Sequence, residues 1–240
     1  MRTFRIATYN IHKGRGLDGR TRIERIGRVI AEIDADIVAL QEVVSHEGRT
    51  IQDHQASYLA EKFGYFHTIG ETRRHQGGVY GNVTLSRWDF DLVRQFDLSV
   101  AGREQRGALR TDIRAAGCVL HVFNVHLGTA FRERREQAAR FVDHDLLKAV
   151  DISGPRVVLG DFNEWTRGLV TRTLTAEFHR TNLHHHLRRA RSYPTVLPVL
   201  HLDHIYFDHH LRVEKADFHR SRVSMIASDH LPLVADLCLE

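Results

Sequence analysis

The sequence predicts an α/β protein whose sheets pack face to face with helices outside, and three observations predict it. A strand, an amphipathic helix and a second strand follow one another at the start of the chain, which indicates a layered α/β arrangement. Short strand patterns then crowd the middle of the chain, too closely spaced to admit helices, as antiparallel neighbours are. Helical patterns lie to either side of that strand-rich middle.

Phe4-Arg5-Ile6-Ala7-Thr8-Tyr9 is an opening strand that ends at Asn10, and Ile11-His12-Lys13-Gly14-Arg15-Gly16 follows as a glycine-punctuated loop. Thr21 and Glu24 have the spacing of a capping box. Ile23, Ile26, Val29, Ile30 and Ile33 then share one helical face, so this helix lies against a sheet. Asp36 starts the strand Ile37-Val38-Ala39-Leu40, which delivers Glu42. A second amphipathic helix is expected from about Asp53 to Phe63, stopped by Gly64.

Strands are expected at Tyr65–Ile69, Asn82–Ser86, Leu92–Leu98, Leu109–Ile113 and Val119–Val125. A charge-rich helix runs from Arg132 to Leu147, and another from Arg167 to Phe178. Between these two, Val157-Val158-Leu159 reads as a short strand buried on both faces. The last strands are expected at Leu202–Phe207 and Leu231–Leu237.

Composition narrows the class. The chain has 240 residues, 42% apolar and 27% charged, ordinary for a globular protein. It contains no linker, low-complexity tract or repeat, so a single domain over residues 1–240 is expected. The formal charge of +4 permits an anionic partner without choosing one, and 18 histidines make the effective charge depend on pH. Cys118 and Cys238 read as small buried strand residues, which points away from a structural disulfide and towards a reducing compartment. With no signal-peptide pattern and no apolar stretch of membrane-spanning length, a cytoplasmic protein without stable membrane insertion is expected. No obligate protein partner is evident.

Polar residues repeatedly emerge where apolar runs end. Asp161 and Asn163 follow Val157-Val158-Leu159-Gly160; alone, an Asx turn explains them as well as a site does. The same device recurs at Thr8-Tyr9-Asn10-Ile11-His12, Leu40-Gln41-Glu42-Val43, Asn124-Val125-His126-Leu127, Leu202-Asp203-His204-Ile205 and Ser228-Asp229-His230-Leu231-Pro232. In this order the six segments resemble the signature of the endonuclease/exonuclease/phosphatase superfamily, over essentially the whole chain.

The resemblance implies a deoxyribonuclease I-like four-layer α/β sandwich, two mostly antiparallel sheets face to face with helices outside. It also implies roles. Glu42 would be the principal ligand of Mg²⁺ or Mn²⁺, with Asn10 contacting metal or phosphate and Asp229 supporting the metal region. Asp161 would orient or deprotonate the attacking water, and Asn163 would hydrogen-bond the phosphate. His230 would contact the scissile phosphate, with Asp203 fixing its tautomer, and His126 would be a second site histidine of the deoxyribonuclease-like branch. Abasic endonucleases carry a carboxylate where this chain has His12, a departure that weakens that narrower assignment.

The chemistry stands beside the resemblance. Hydrolysis of a phosphate ester needs an in-line water and neutralisation of charge on the phosphate oxygens. A hard cation on carboxylate oxygens suits the second need, and an Asp–His pair holds an imidazole in one tautomer. Arg106 and Asn82 are candidate substrate-binding residues, each equally well explained by a structural or solvated role. The run His184-His185-His186, with no cysteine partner, reads as a solvated basic loop rather than a zinc site; Arg188, Arg189 and Arg191 could extend a phosphate-binding rim.

The expectation is a metal-dependent hydrolase of phosphodiester bonds acting through an activated water. Nucleic acid is the first-choice substrate, on basic charge and His126. A phospholipid or small-molecule phosphodiesterase, or a phosphatase, is the alternative, and a hydrophobic surface loop near the site would favour its lipid version. A silent phosphate-binding scaffold is opposed by the full set of candidate polar residues.

Overall fold

A computed structural model describes residues 3–46, 50–75, 77–115, 117–141, 147, 149, 151–165, 168–180 and 191–240. The opening unit is β1 (Thr3–Asn10), α1 (Ile23–Ile33) and β2 (Ile37–Ser45), with β1 and β2 parallel. After α2 (Gln55–Phe63) come five strands: β3 (Phe66–His75), β4 (Gly78–Ser86), β5 (Phe90–Asp97), β6 (Gly107–Ala115) and β7 (Cys118–His126). A second crossover follows, α3 (Phe131–Phe141) leading to β8 (Arg156–Asp161), which lies parallel to β7. The chain continues through α4 (Leu169–Glu177), β9 (His179–Arg180), β10 (Asp203–Phe207), β11 (Leu211–Phe218), the short α5 (Ser224–Ala227) and β12 (Leu233–Leu239).

Two six-stranded sheets result, in the orders β11-β12-β1-β2-β4-β3 and β5-β6-β7-β8-β10-β9. Each holds one parallel pair at its centre, β1/β2 or β7/β8, and every other pairing is antiparallel. The central strands are apolar on both faces because both faces are covered. Ile6, Ile37, Val157 and Leu159 pack into the layer between the sheets. Ala7, Val38 and Leu40 face outward beneath the isoleucines of α1 and Leu59 of α2. Val158, Phe123 and Val125 face outward beneath Ala138, Val170 and Leu174. Three apolar layers between four layers of structure make this the expected sandwich.

Several local expectations shift. The Thr21–Glu24 capping box does not form: α1 begins at Ile23 with Arg22 at its N-cap and no side-chain cap, while Thr21 pairs with Arg15 in an isolated bridge. The second helix starts at Gln55, and Gly64 closes it in the left-handed conformation, φ 68°. The middle strands are longer than expected because hairpin partners extend pairing into polar ends such as Gly78–Asn82. β11 was not anticipated; it is an edge strand whose outward residues are polar, so its apolar signal is thin. Cys118 is half-buried rather than buried, and both cysteines are free. Residues 181–190, with His184-His185-His186, Arg188 and Arg189, lie outside the described residues, whereas Arg191 is exposed.

Candidate active site at the seam of the sheets

The catalytic candidates converge where the two parallel pairs end. In the second sheet, strand register alone aligns three of them: His126 of β7 pairs with Asp161 of β8, which pairs with Asp203 of β10. Gly160 makes this possible. Its φ is 150°, and a side chain there would collide with the Val125 carbonyl of the neighbouring strand. In the first sheet a bulge interrupts β2 between Leu40 and Val43. Glu42 sits there with φ 57°, a conformation non-glycine residues rarely adopt. Gln41 therefore stays buried between the sheets while Glu42 turns to the site.

Asp161 is the hub. Its Oδ2 accepts from Asn10 Nδ2 at 2.9 Å and lies 3.7 Å from Nε2 of both His126 and His230. Its Oδ1 accepts from the Asn163 backbone N–H at 2.9 Å. Asn10 reaches across to Glu42 Oε1 at 3.3 Å, so one amide joins the carboxylates of both sheets. His230 Nδ1 lies 2.9 Å from Asp203 Oδ2, and the Tyr193 ring packs 4.9 Å from the imidazole.

Burial and charge set the protonation states. Burial pushes the Asp161 carboxyl up, with Asp203 acting in the same direction against the two histidines. Burial works against charge on His230, but Asp203, Asp161 and Asp229 outweigh it and raise the imidazole to about 10. His126 goes the other way: burial, aided by Arg106, lowers it to about 4, leaving a neutral ring. Burial also opposes charge on Glu42, yet His126, Lys13 and Asn10 bring it down to about 2.

Two groupings could hold a cation. Ligand atoms of Asp161, Asp203 and His230 lie within 4.8 Å of one another, but a charged His230 already supplies the positive charge there. Glu42, in contact with Asn10 at 3.3 Å, is the better fit, with Asp229 reached through its 3.6 Å pairing with His12. Lys13 Nζ rests 2.7 Å from Glu42 Oε2, so the position already attracts a cation. The carboxylate oxygens of Glu42 suit Mg²⁺ or Mn²⁺, while Asn10 faces Glu42 through Nδ2 and its Oδ1 accepts from the His12 N–H at 3.0 Å.

The remaining candidates divide. Asn163 has φ 49°, and its amide donates to the Leu127 carbonyl at 2.9 Å. Asn82 is placed between the sheets, its amide donating to the Gly107 and Asn124 carbonyls. Arg106 is buried beside the site; its guanidinium pairs with Glu104 at 2.8 Å and its Nε has no hydrogen-bond partner among the described residues.

Lys13 and Asn124 went unassigned in the sequence. Lys13 sits in a turn where His12, Lys13 and Gly14 have φ 45°, 59° and 71°. Gln55 holds that turn, donating to the Lys13 carbonyl at 2.8 Å while accepting from the Val44 N–H at 3.0 Å. Asn124 stitches the sheets: it donates to the Leu40 and Val83 carbonyls and accepts from Gln41 at 2.8 Å. The Lys-Gly pair after Asn10 was the available signal for the first; a buried asparagine in an apolar strand was that for the second.

Comparison with known proteins agrees with this geometry. The sequence profile of the endonuclease/exonuclease/phosphatase family matches residues 7–230. The uncharacterized protein YbhP of Escherichia coli is 31% identical over 99% of this chain and 97% of its own. An endonuclease/exonuclease/phosphatase from Beutenbergia cavernae superposes with a TM-score of 0.76 at 24% identity, covering 100% of this chain and 72% of that one. One from Bacteroides vulgatus gives 0.78 at 22% identity, with both chains wholly covered.

Proposed function

Because the chain belongs to the endonuclease/exonuclease/phosphatase family, whose members are phosphoesterases, we propose that it is a divalent-metal-dependent phosphodiesterase working through an activated water. The observation that carries this reading is the convergence on Asp161 of Asn10 from one sheet and His126 from the other, with His230 between a second pair of carboxylates.

The water lies against Asp161, whose raised affinity for a proton makes it a competent general base. As the water oxygen bonds to phosphorus, its proton passes to Asp161, and the bond to the leaving oxygen breaks with the electron pair staying on that oxygen, which takes a proton from solvent. Charge gathering on the phosphate oxygens meets the His230 imidazolium, which Asp203 orients through Nδ1. Neutral His126 holds the other side of Asp161, and Asn163 contacts the phosphate from its left-handed turn. A cation held by Glu42, Asn10 and Asp229 supplies further charge neutralisation when bound. Arg106, with its unpartnered Nε, is a contact for the substrate's phosphate, whereas the Asn82 amide serves the sheet seam.

Nucleic acid remains the first substrate class on the chain's basic charge and on His126. A specific observation favours a second reading, a phospholipid headgroup diester: most exposed large apolar residues stand in the connections between strands, among them Leu17, Val196, Leu197 and Ile226.

The test is hydrolysis of bis(4-nitrophenyl) phosphate beside 4-nitrophenyl phosphate, with Mg²⁺ or Mn²⁺ and with excess EDTA. Metal-dependent diester cleavage that falls at least ~10²-fold in Asp161→Ala and His230→Ala is expected. Selective monoester cleavage would make the protein a phosphatase. Diester cleavage that persists in EDTA or in both variants would remove the assigned site.

A further inference from the structure

Eleven large apolar side chains are exposed among the described residues, and nine of them stand in connections between strands, five in loops and four at helical positions of α3, α4 and α5. Six cluster on the Asp229 side of the site: Leu17, Val196, Leu197, Val199, Met225 and Ile226. The cluster is continuous across two loops and the short α5. The Leu17 N–H donates to the Ile226 carbonyl, and Thr195 donates from its backbone and its hydroxyl to the Asp229 and Ser228 carbonyls. Val196, Leu197 and Pro198 also line a groove of about 860 Å³ with Phe218 and Arg220. Leu197, at 71% exposed, and Val196, at 68%, project into solvent within a few residues of groups that touch His230 and Asp229.

The unpaired charge of the segments that carry this cluster is positive, whereas the groove is also lined by Glu32 and Asp236, which pair with His219 and Arg5, and by Asp217. Arg15, Arg20, Arg191, Arg220 and Arg222 are exposed in the same loops and form no ion pair with a described residue. Of the two acids in those loops, Asp18 is paired with Arg25 at 2.6 Å and Asp229 is half-buried in the site.

From this we infer that the Asp229 flank docks on an anionic phospholipid bilayer, with the aliphatic residues entering the headgroup boundary and the arginines taking lipid phosphates. The inference deepens the phosphodiesterase reading, on which it rests for the claim that a headgroup diester is thereby brought to the site. Its chemistry separates a bilayer from nucleic acid. All six apolar residues of the Asp229 flank are aliphatic, so this flank, unlike the second-sheet side with its exposed Phe131 and Trp165, offers bases no stacking surface, whereas aliphatic anchors interspersed with arginine are what an anionic interface takes up. On the second-sheet side, Phe131 and Trp165 extend the exposed apolar rim past Asn163. Attachment is peripheral, since no helix among the described residues is long and apolar enough to cross a membrane.

The test is sedimentation of the full chain with vesicles of phosphatidylcholine alone, or with about one-third phosphatidylglycerol. Binding to the anionic vesicles, weakened by salt, is expected. The pair Leu197→Glu and Ile226→Glu should lower it at least ~10-fold, while hydrolysis of bis(4-nitrophenyl) phosphate stays at the parent rate and reports that the site is intact. Arg220→Gln with Arg222→Gln should remove most of the preference for anionic vesicles. Failure of the parent chain to bind either vesicle would overturn the inference, as would binding that survives the glutamate pair. So would single-stranded DNA captured through the same residues. If the parent chain binds vesicles but cleaves no diester, the docking surface stands and the phosphodiesterase reading falls.

Discussion

Lys13 concentrates in one side chain the electrostatic question the site must solve. Its ammonium sits 2.7 Å from Glu42 Oε2 and 5.8 Å from the centre of the Tyr80 ring. It is carried there by two successive left-handed non-glycine residues, each of which costs on the order of 1–3 kcal/mol unless its surroundings hold it. Gln55 is what holds them. A lysine placed at such expense against the carboxylate proposed to hold the metal has two consequences under that proposal. It competes for Glu42 with any divalent cation, and once displaced it is an ammonium beside the reacting phosphate. Lys13→Ala should therefore lower the Mn²⁺ concentration for half-maximal diester hydrolysis while raising KM about tenfold, the loss of one charge-assisted contact. A metal titration at saturating substrate and a substrate titration at saturating metal separate the two effects. An unchanged KM would confine Lys13 to neutralising Glu42.

Among the strands, β6 and β7 show how much polar structure an outer face can hold away from the site. Arg110, wholly buried, donates to both oxygens of Asp112 at 2.9 and 2.8 Å and pairs with Asp151 at 3.1 Å. His121 of β7 lies 2.8 Å from Asp112. Burial works against charge on Asp112, but His121 and Arg110 outweigh it and hold the carboxyl below its ordinary value of 3.8. A carboxyl depressed in the folded state contributes stability that is present above its unfolded value and is lost as pH falls through the folded one. The parent protein should therefore lose stability as pH falls below about 4, and Asp112→Asn should lack that component. At neutral pH the same variant should be destabilised by about 3 kcal/mol, because it leaves Arg110 buried without its bidentate partner. Urea denaturation at neutral and acid pH measures both; a neutral-pH loss below about 1 kcal/mol would show that Asp151 alone satisfies Arg110. The helices and strands were legible where periodicity met burial, as in Ile23 to Ile33 or Val157 to Leu159. They were illegible where tertiary partners decided: Thr21 was drawn into a bridge with Arg15 instead of capping α1, and β11 pairs through backbone that its polar outward residues do not announce.

Across the whole molecule, two halves of similar design meet at one edge, each contributing a parallel pair and the loops that follow it. On the proposed mechanism catalysis depends on how accurately the sheets are held to each other, since Glu42 belongs to one and Asp161 to the other. The six polar strand ends were readable from sequence because each follows an apolar run. The distances between them were not, because bulge geometry at Glu42 and the buried amides between the sheets are products of tertiary pairing. Asn124 is the centre of that seam. Its side chain donates to the Leu40 and Val83 carbonyls at 3.1 and 2.9 Å and receives Gln41 at 2.8 Å, while its own carbonyl accepts from Asn82. Asn124→Leu keeps similar volume but removes the donor to two carbonyls of the other sheet, while the Gln41 amide retains Thr8 and the Ala39 carbonyl. Each such buried group costs roughly 1–3 kcal/mol, so a loss on the order of 3 kcal/mol is expected, tolerable for a domain of ordinary stability. The functional effect should exceed what stability alone explains. Relative movement of the sheets by about 1 Å displaces Glu42 from Asp161 and can lower kcat ~10²-fold in molecules that remain folded. Measuring kcat below the unfolding transition, with the folded fraction fixed by circular dichroism, isolates that term. A folded Asn124→Leu protein with the parent kcat would show that Asn10, bridging Glu42 and Asp161, aligns the sheets without the buried seam.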